Sequence, residues 1–267
     1  MTDEFNLTRY DPRAPVFTKK VQVAQGRIQK LVDAHFSTDI RRIDSILNSL
    51  YRRQGCYMWL NNLALCLDCH QPTYRLALTA FCKGMIALAS AMRLVGSGLT
   101  GGSYSQIRYA FEAVVTAKYC GHFGDDPLAS GWLEGNDLYF TNAVLKKIPG
   151  KFGLTLRQYW DEVSKVSHFT ISSGQLVLST EVGPDAHSPT FESSLVHIEK
   201  LLHLHAHLQR TYLVTASVRY YTSRYNKGLA RIDRSEQEKL RKILSESSQR
   251  LVHEDRQFIR CFAAAWK

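Results

Sequence analysis

No stretch of this chain runs for the roughly 18 uncharged apolar residues that crossing a bilayer takes. Its opening, MTDEFNLTRYDPRAP, has acidic residues where a signal peptide carries an apolar core. The expectation is a cytosolic protein with no membrane partner. Cysteine is sparse, six in 267 residues, which excludes a disulfide scaffold; scattered thiols in a cytosolic chain read as reduced core residues. Cys66, Cys69 and His70, in CLDCH, have the spacing of a c-type haem attachment, but that chemistry needs export. A zinc site would need two further ligands, and no second Cys or His pair has the matching spacing. No metal and no cofactor are expected. No repeat of 20 to 50 residues is present either, so a solenoid is excluded.

What is present is ordinary globular material with a one-sided charge. Hydrophobic residues make up 45% and charged residues 22%, which argues against disorder and against a fibre. The formal net charge is +10, and it sits at the two ends. Residues 9–53 hold ten Lys/Arg against four Asp/Glu, residues 219–267 hold twelve against six, and residues 54–218 hold twelve of each. Such an excess favours polyanions, nucleic acid before membrane. Glu and Asp are interleaved in DRSEQEKLRKILSESSQRLVHEDRQFIR, which also describes a solvated helix face.

Residues 1–18, with Pro12 and Pro15 and no periodicity, read as an arm. From there apolar residues recur at three and four spacing almost throughout. VQVAQGRIQKLVDAHF and DIRRIDSILNSLYRRQGCYMWLNNLALCLDCH read as two helices, the second stopped before Pro72. TYRLALTAFCKGMIALASAMRLVG is apolar on nearly every side and reads as a central buried helix. Four glycines in GSGLTGG break the chain. Ser103/Gln106 and Thr155/Gln158 have capping-box spacing. Asp126-Pro127 reads as an N-cap followed by Pro, opening a helix through LASGWLEGNDLYFTNAVLKKI. Ser188-Pro189 begins a long helix over about 190–225, and a last helix runs from near Asp233 to about Ala265. The pattern predicts an all-α helical bundle with a short extended or hairpin segment near 171–183. Its organisation is an arm at 1–18, a bundle at 19–225, and a basic C-terminal helix at 226–267 packed on the bundle or extending from it.

The helix through YWDEVSKVSHF carries the most suggestive chemistry. At 100° per residue Leu156, Tyr159, Trp160, Val163, Val166 and Ser167 form an apolar face, and Asp161, Ser164 and His168 stack along its flank. On the helix 103–120, Ile107, Phe111, Val114 and Val115 are the apolar face, with Arg108, Glu112 and Tyr119 along one side. Arg108 and Glu112 have the i, i+4 spacing of an ion pair. If the two edges meet, they form a polar cleft suited to phosphodiester cleavage. Arg108 would offset charge on the phosphorane-like transition state, His168 would move protons, and Glu112 would orient one of them. The 2′-hydroxyl of RNA would be the nucleophile, so the reaction needs no metal. The same residues could instead be a register-fixing ion pair and a hydrogen-bonded core histidine.

The Arg-x-x-x-Glu helix RYAFEAVVTAKYCGHFGDDPLASGW, followed by WDEVSKVSHF, resembles bacterial helical proteins of the HEPN superfamily over roughly residues 75–225. The resemblance implies a helical bundle, often dimeric, and in many members a metal-independent ribonuclease of a toxin or phage-defence system. Implied partners are RNA, a second copy of the chain, and an antitoxin or defence protein. The family's signature places a His four to six residues after an Arg on one helix. Arg157 here is eleven before His168, and Arg250 three before His253. Catalysis would therefore have to join Arg108 and His168 across two helices. The alternative is a non-catalytic interaction module of a defence or regulatory system.

Two further patterns remain. In HIEKLLHLHAHLQR, His203 and His207 share one face at a two-ligand metal spacing with no acidic residue to complete it, and His205 falls in the apolar stripe as a hydrogen-bonded core residue. In RYYTSRYNKGLARIDR, Arg219, Tyr220, Arg224, Tyr225, Lys227 and Arg231 alternate aromatic and cationic side chains, a composition that can hold single-stranded RNA or pack a helix end.

Overall fold

The computed structural model describes residues 17–65, 72–136, 139–167, 188–213, 227–264 and 266. Those residues are helical almost throughout and contain no strand, so the chain is an all-α bundle. The extended segment expected near 171–183 and most of the N-terminal arm lie outside the described residues.

Helix α1 spans Phe17–Leu65 without interruption, where the periodicity predicts two helices. The expected break falls at Ser37-Thr38, and neither residue is a Gly or a Pro. The Ser37 carbonyl accepts from Arg41 Nε at 3.1 Å and the helix runs on. Helix α2, Pro72–Gly96, is the central helix. Leu76, Ala77, Ala80, Phe81, Leu88 and Ala91 are all fully buried, and it packs against α1, α3 (Thr100–Phe123), α4 (Asp126–Leu133) and α7 (Ser188–Leu208). Over Arg75–Gly96 it is long and apolar enough to cross a membrane by length and composition. A search for an uncharged run passes over it because Lys83 and Arg93 interrupt it. At Gly84 the His205 ring of α7 packs onto α2: a Cβ there would overlap the ring, so only glycine admits the contact.

Two helix starts differ from the capping rules. Helix α3 begins at Thr100 after Leu99, which offers no side-chain cap, and Ser103 lies inside it, its hydroxyl donating to the Thr100 carbonyl at 2.6 Å. Helix α6, Gly150–Ser167, likewise contains Thr155, bonded back to the Lys151 carbonyl at 3.1 Å. In both, a hydroxyl satisfied within its own helix replaces the capping role. The N-cap of α4 is Asp125, accepting from Leu128 N–H at 3.1 Å, one residue before the expected Asp126. The long helix expected beyond it stops at Leu133, where Gly135 takes φ +83°. A single turn, α5 (Phe140–Ala143), and a 3₁₀ turn at Leu145–Lys147 follow.

Helix α7 continues into a π-helical turn at Gln209–Leu213. The C-terminal region is two helices, α8 (Lys227–Arg250) and α9 (His253–Ala264). Helix α8 lies antiparallel on α1, tied by Arg53 Nε–Asp233 at 2.9 Å, Arg52–Glu236 at 3.0 Å and Arg250–Asp39 at 3.4 Å. Helix α9 packs on α6 and α7. Phe111 of α3 meets Tyr159 of α6 at 4.8 Å between ring centroids, while Phe152 and His122 both reach Trp266. Helices α3 and α6 therefore run antiparallel, with their polar edges side by side.

Candidate functional site

The edge of α3 meets α6 at Glu112. Its Oε1 accepts from Arg108 Nε at 2.8 Å, one helical turn back, and from the Trp160 indole N–H of α6 at 2.9 Å. The Arg108 guanidinium lies 5.3 Å from the Trp160 ring centroid, a cation–π distance. The side chains of Arg108 and Glu112 are 27% and 24% exposed, so the seam is open to solvent on one side. The i, i+4 spacing accounts for the ion pair. Trp160 accounts for the link between helices, a role its place on the apolar face did not announce, because an indole buries a ring and still brings one N–H donor.

The other expected residues fall differently. Ser164 is buried one turn beyond Trp160, and its hydroxyl has no partner among the described residues. The carbonyl of Ser164 accepts from Ser167 Oγ at 3.0 Å, which satisfies the serine on the apolar face. Tyr119 stands eleven residues, about 16 Å, along α3 from Arg108. It packs against Phe123 at 4.9 Å with Lys147 6.0 Å from its ring, away from the seam. His168 lies outside the described residues, as do Arg219, Tyr220, Arg224, Tyr225 and the CLDCH segment. Lys227 opens α8 and Arg231 is exposed on it.

A second polar constellation, which the sequence reading missed, is buried where α3, α6, α7 and α9 meet. His197 of α7 is 3% exposed. Its Nδ1 is 3.1 Å from the Tyr159 hydroxyl and its Nε2 3.5 Å from Glu162. The Tyr104 ring stands edge-on to it at 5.5 Å and places its own hydroxyl 3.0 Å from Ser193 Oγ. Burial, and then the charge of Lys200, push the His197 imidazole down to about 3, so it is neutral at pH 7. Burial likewise holds the Tyr159 phenol protonated, well above its ordinary range. Beside them Lys200 Nζ is 2.7 Å from Asp255 and 4.7 Å from the Tyr159 ring. The available signal was Tyr159 itself, a hydroxyl in an apolar stripe that requires a partner once buried.

The remaining histidines of α7 are structural. His205 is fully buried with Nδ1 2.8 Å from the Leu201 carbonyl, the core role its position predicts. His203 Nε2 meets Ser247 Oγ of α8 at 2.9 Å, while His207 turns its ring to Phe262 of α9 at 6.0 Å and its Nε2 to Thr211 at 3.2 Å. The two therefore face different helices. Among the described residues no three His, Cys, Asp or Glu side chains gather as metal ligands.

Compared with known proteins, the chain matches no family model, no curated protein and no solved structure. A part-exposed guanidinium, fixed by a carboxylate and backed by an indole, can bind an anion or a flat ring at the surface. The buried constellation has one carboxylate at the surface, Glu162, 59% exposed, and otherwise stays inside.

Proposed function

We propose that this chain acts on RNA as a HEPN-like, metal-independent endoribonuclease of a toxin or phage-defence system, with its site at the α3–α6 seam. The observation that supports the reading is the double engagement of Glu112. One carboxylate oxygen holds both Arg108 and Trp160, so a part-exposed arginine of α3 is fixed against α6, the helix whose sequence continues into His168. In this reading Arg108 clamps the phosphate and offsets charge in the transition state, and Glu112 fixes its orientation. His168 takes the proton from the ribose 2′-hydroxyl as that oxygen attacks phosphorus. The P–O5′ bond breaks, a solvent water donates the proton that the departing oxygen takes up, and a 2′,3′-cyclic phosphate remains. Ser164, four residues before His168 in sequence, is the accompanying hydroxyl. The protein would work in the cytosol, as a homodimer or with an antitoxin or defence-system partner.

The same contact favours a second reading, a non-catalytic interaction module. A carboxylate bonded across two helices also serves to lock their register. One experiment separates the two. A mixed RNA pool is incubated with wild-type and His168→Ala protein in chelator, with melting curves run in parallel. Cleavage by wild type alone, with both proteins melting together, is the expected outcome. No cleavage by wild type leaves the interaction module as the surviving reading.

A further inference from the structure

Helix α8 presents a face whose charge is mostly of one sign. Arg231, Arg234, Lys239, Arg241, Lys242 and Arg250 are exposed on it, against Glu238 and Glu246. At 1.5 Å per residue the stretch from Arg231 to Arg250 is about 28 Å long. The opposite side is committed to the bundle: Leu240 and Ser247 are buried, and Asp233 and Glu236 are spent on Arg53 and Arg52 of α1. Two of the helix's four carboxylates are thus neutralised on the inner side, which leaves the outer side more basic than the composition suggests. Arg231, Arg234, Arg241 and Lys242 make no ion pair among the described residues.

We infer that the outward face of α8 is a docking rail for the phosphate backbone of single-stranded RNA. The inference rests on the RNA reading above and adds where the strand is held. Charge complementarity selects a polyanion. A membrane surface is disfavoured, because an interfacial helix needs an apolar face to insert, and α8 has turned Leu240, Ile243 and Leu244 into the bundle. A single strand is selected over a duplex by the sequence leading into the helix, where Tyr220, Tyr221 and Tyr225 alternate with Arg219 and Arg224. Aromatic rings stack on unpaired bases while cations follow the backbone.

The test is fluorescence anisotropy with a labelled 20-nucleotide 2′-O-methyl RNA of mixed sequence, which lacks the attacking hydroxyl and stays intact, titrated with wild type, with Arg241→Glu/Lys242→Glu, and with Lys146→Glu/Lys151→Glu. The second pair removes the same charge from exposed lysines elsewhere on the surface. Circular dichroism and melting temperature confirm that each variant is folded. The α8 pair is expected to weaken Kd at least about tenfold at moderate salt. It should also make the slope of log K against log salt shallower by about 1.4, two phosphate contacts on a single strand. The control pair should stay within about threefold of wild type. Equal losses in both pairs, with wild type binding tightly, would overturn the α8 rail and leave the RNA reading standing. No binding by wild type overturns the RNA reading itself and the rail with it. Displacement of the RNA by polyglutamate at equal charge concentration would overturn RNA as the occupant.

Discussion

Trp160 and Tyr159 are adjacent in sequence and 100° apart on α6, and each ends in a polar cluster of a different kind. Trp160 reaches the α3–α6 seam, where the side chains of Arg108 and Glu112 keep 27% and 24% of their surface in solvent. Tyr159 turns inward to His197, 3% exposed, beside a Lys200–Asp255 pair whose side chains are 9% and 14% exposed. The seam holds charge where water still screens it, so its parts can be exchanged at modest cost and can meet a ligand. The interior holds neutral imidazole and phenol, and one ion pair, where any unmatched charge is expensive.

Acid should separate the two regions most strongly. Burial, the largest cause for each, pushes His197 down to about 3 and His203 and His205 to about 4. Lys200 lowers His197 further, while Glu199 and the Leu201 carbonyl partly oppose burial at the other two. The unfolded chain binds protons on these residues near pH 6.5 and the folded chain does not. Stability is therefore fully present above pH 6.5 and falls as pH drops toward 4. Each histidine contributes about 1.4 kcal/mol per pH unit in that window. By pH 4.5 the three together would remove on the order of several kcal/mol, a large part of the stability of many domains. Melting temperature measured from pH 7 to 4.5 checks this; a flat profile would mean that the histidines of α7 are not held neutral.

Truncation should rank the clusters in the same order with a smaller effect. Lys200→Ala leaves Asp255 part-buried without its cation, an expected loss of about 3–5 kcal/mol. Glu112→Ala removes two hydrogen bonds, those from Arg108 and Trp160, at a seam that water can reach and screen, an expected loss of about 1–2 kcal/mol. Urea denaturation of the two variants beside wild type gives the comparison. Equal losses would show that the seam is as much a part of the core as the interior.

How far each cluster could be read from sequence follows the same division. The ion pair of Arg108 and Glu112 is local, four residues on one helix, and spacing alone announces it. The apolar face of α6 was equally legible, since Leu156, Tyr159 and Val163 are all buried. The His197–Tyr159 contact joins residues 38 apart and Lys200–Asp255 residues 55 apart. No periodicity encodes which helix a face will meet. In α7 the two histidines His203 and His207, at i, i+4, have the form of a metal-binding pair, whereas a lone His197 carries no such pattern. The helix starts failed for a different reason: Ser103 and Thr155 had the right spacing to cap, and each was satisfied inside a helix that had already begun.

Ser164 gives the smallest expected effect and lies on the border between the two regions. It stands four residues before His168 in sequence, yet it is 5% exposed and its hydroxyl finds no partner among the described residues. A buried hydroxyl without a partner costs stability, so removing it should not. Ser164→Ala is expected to leave the melting temperature unchanged or raise it slightly, by up to about 1 kcal/mol in stability. If the flank is a working site, the same substitution should lower RNA cleavage while the fold gains. A variant that loses activity and stability together would assign Ser164 to the interior, whereas loss of activity alone would extend the seam by one turn toward His168.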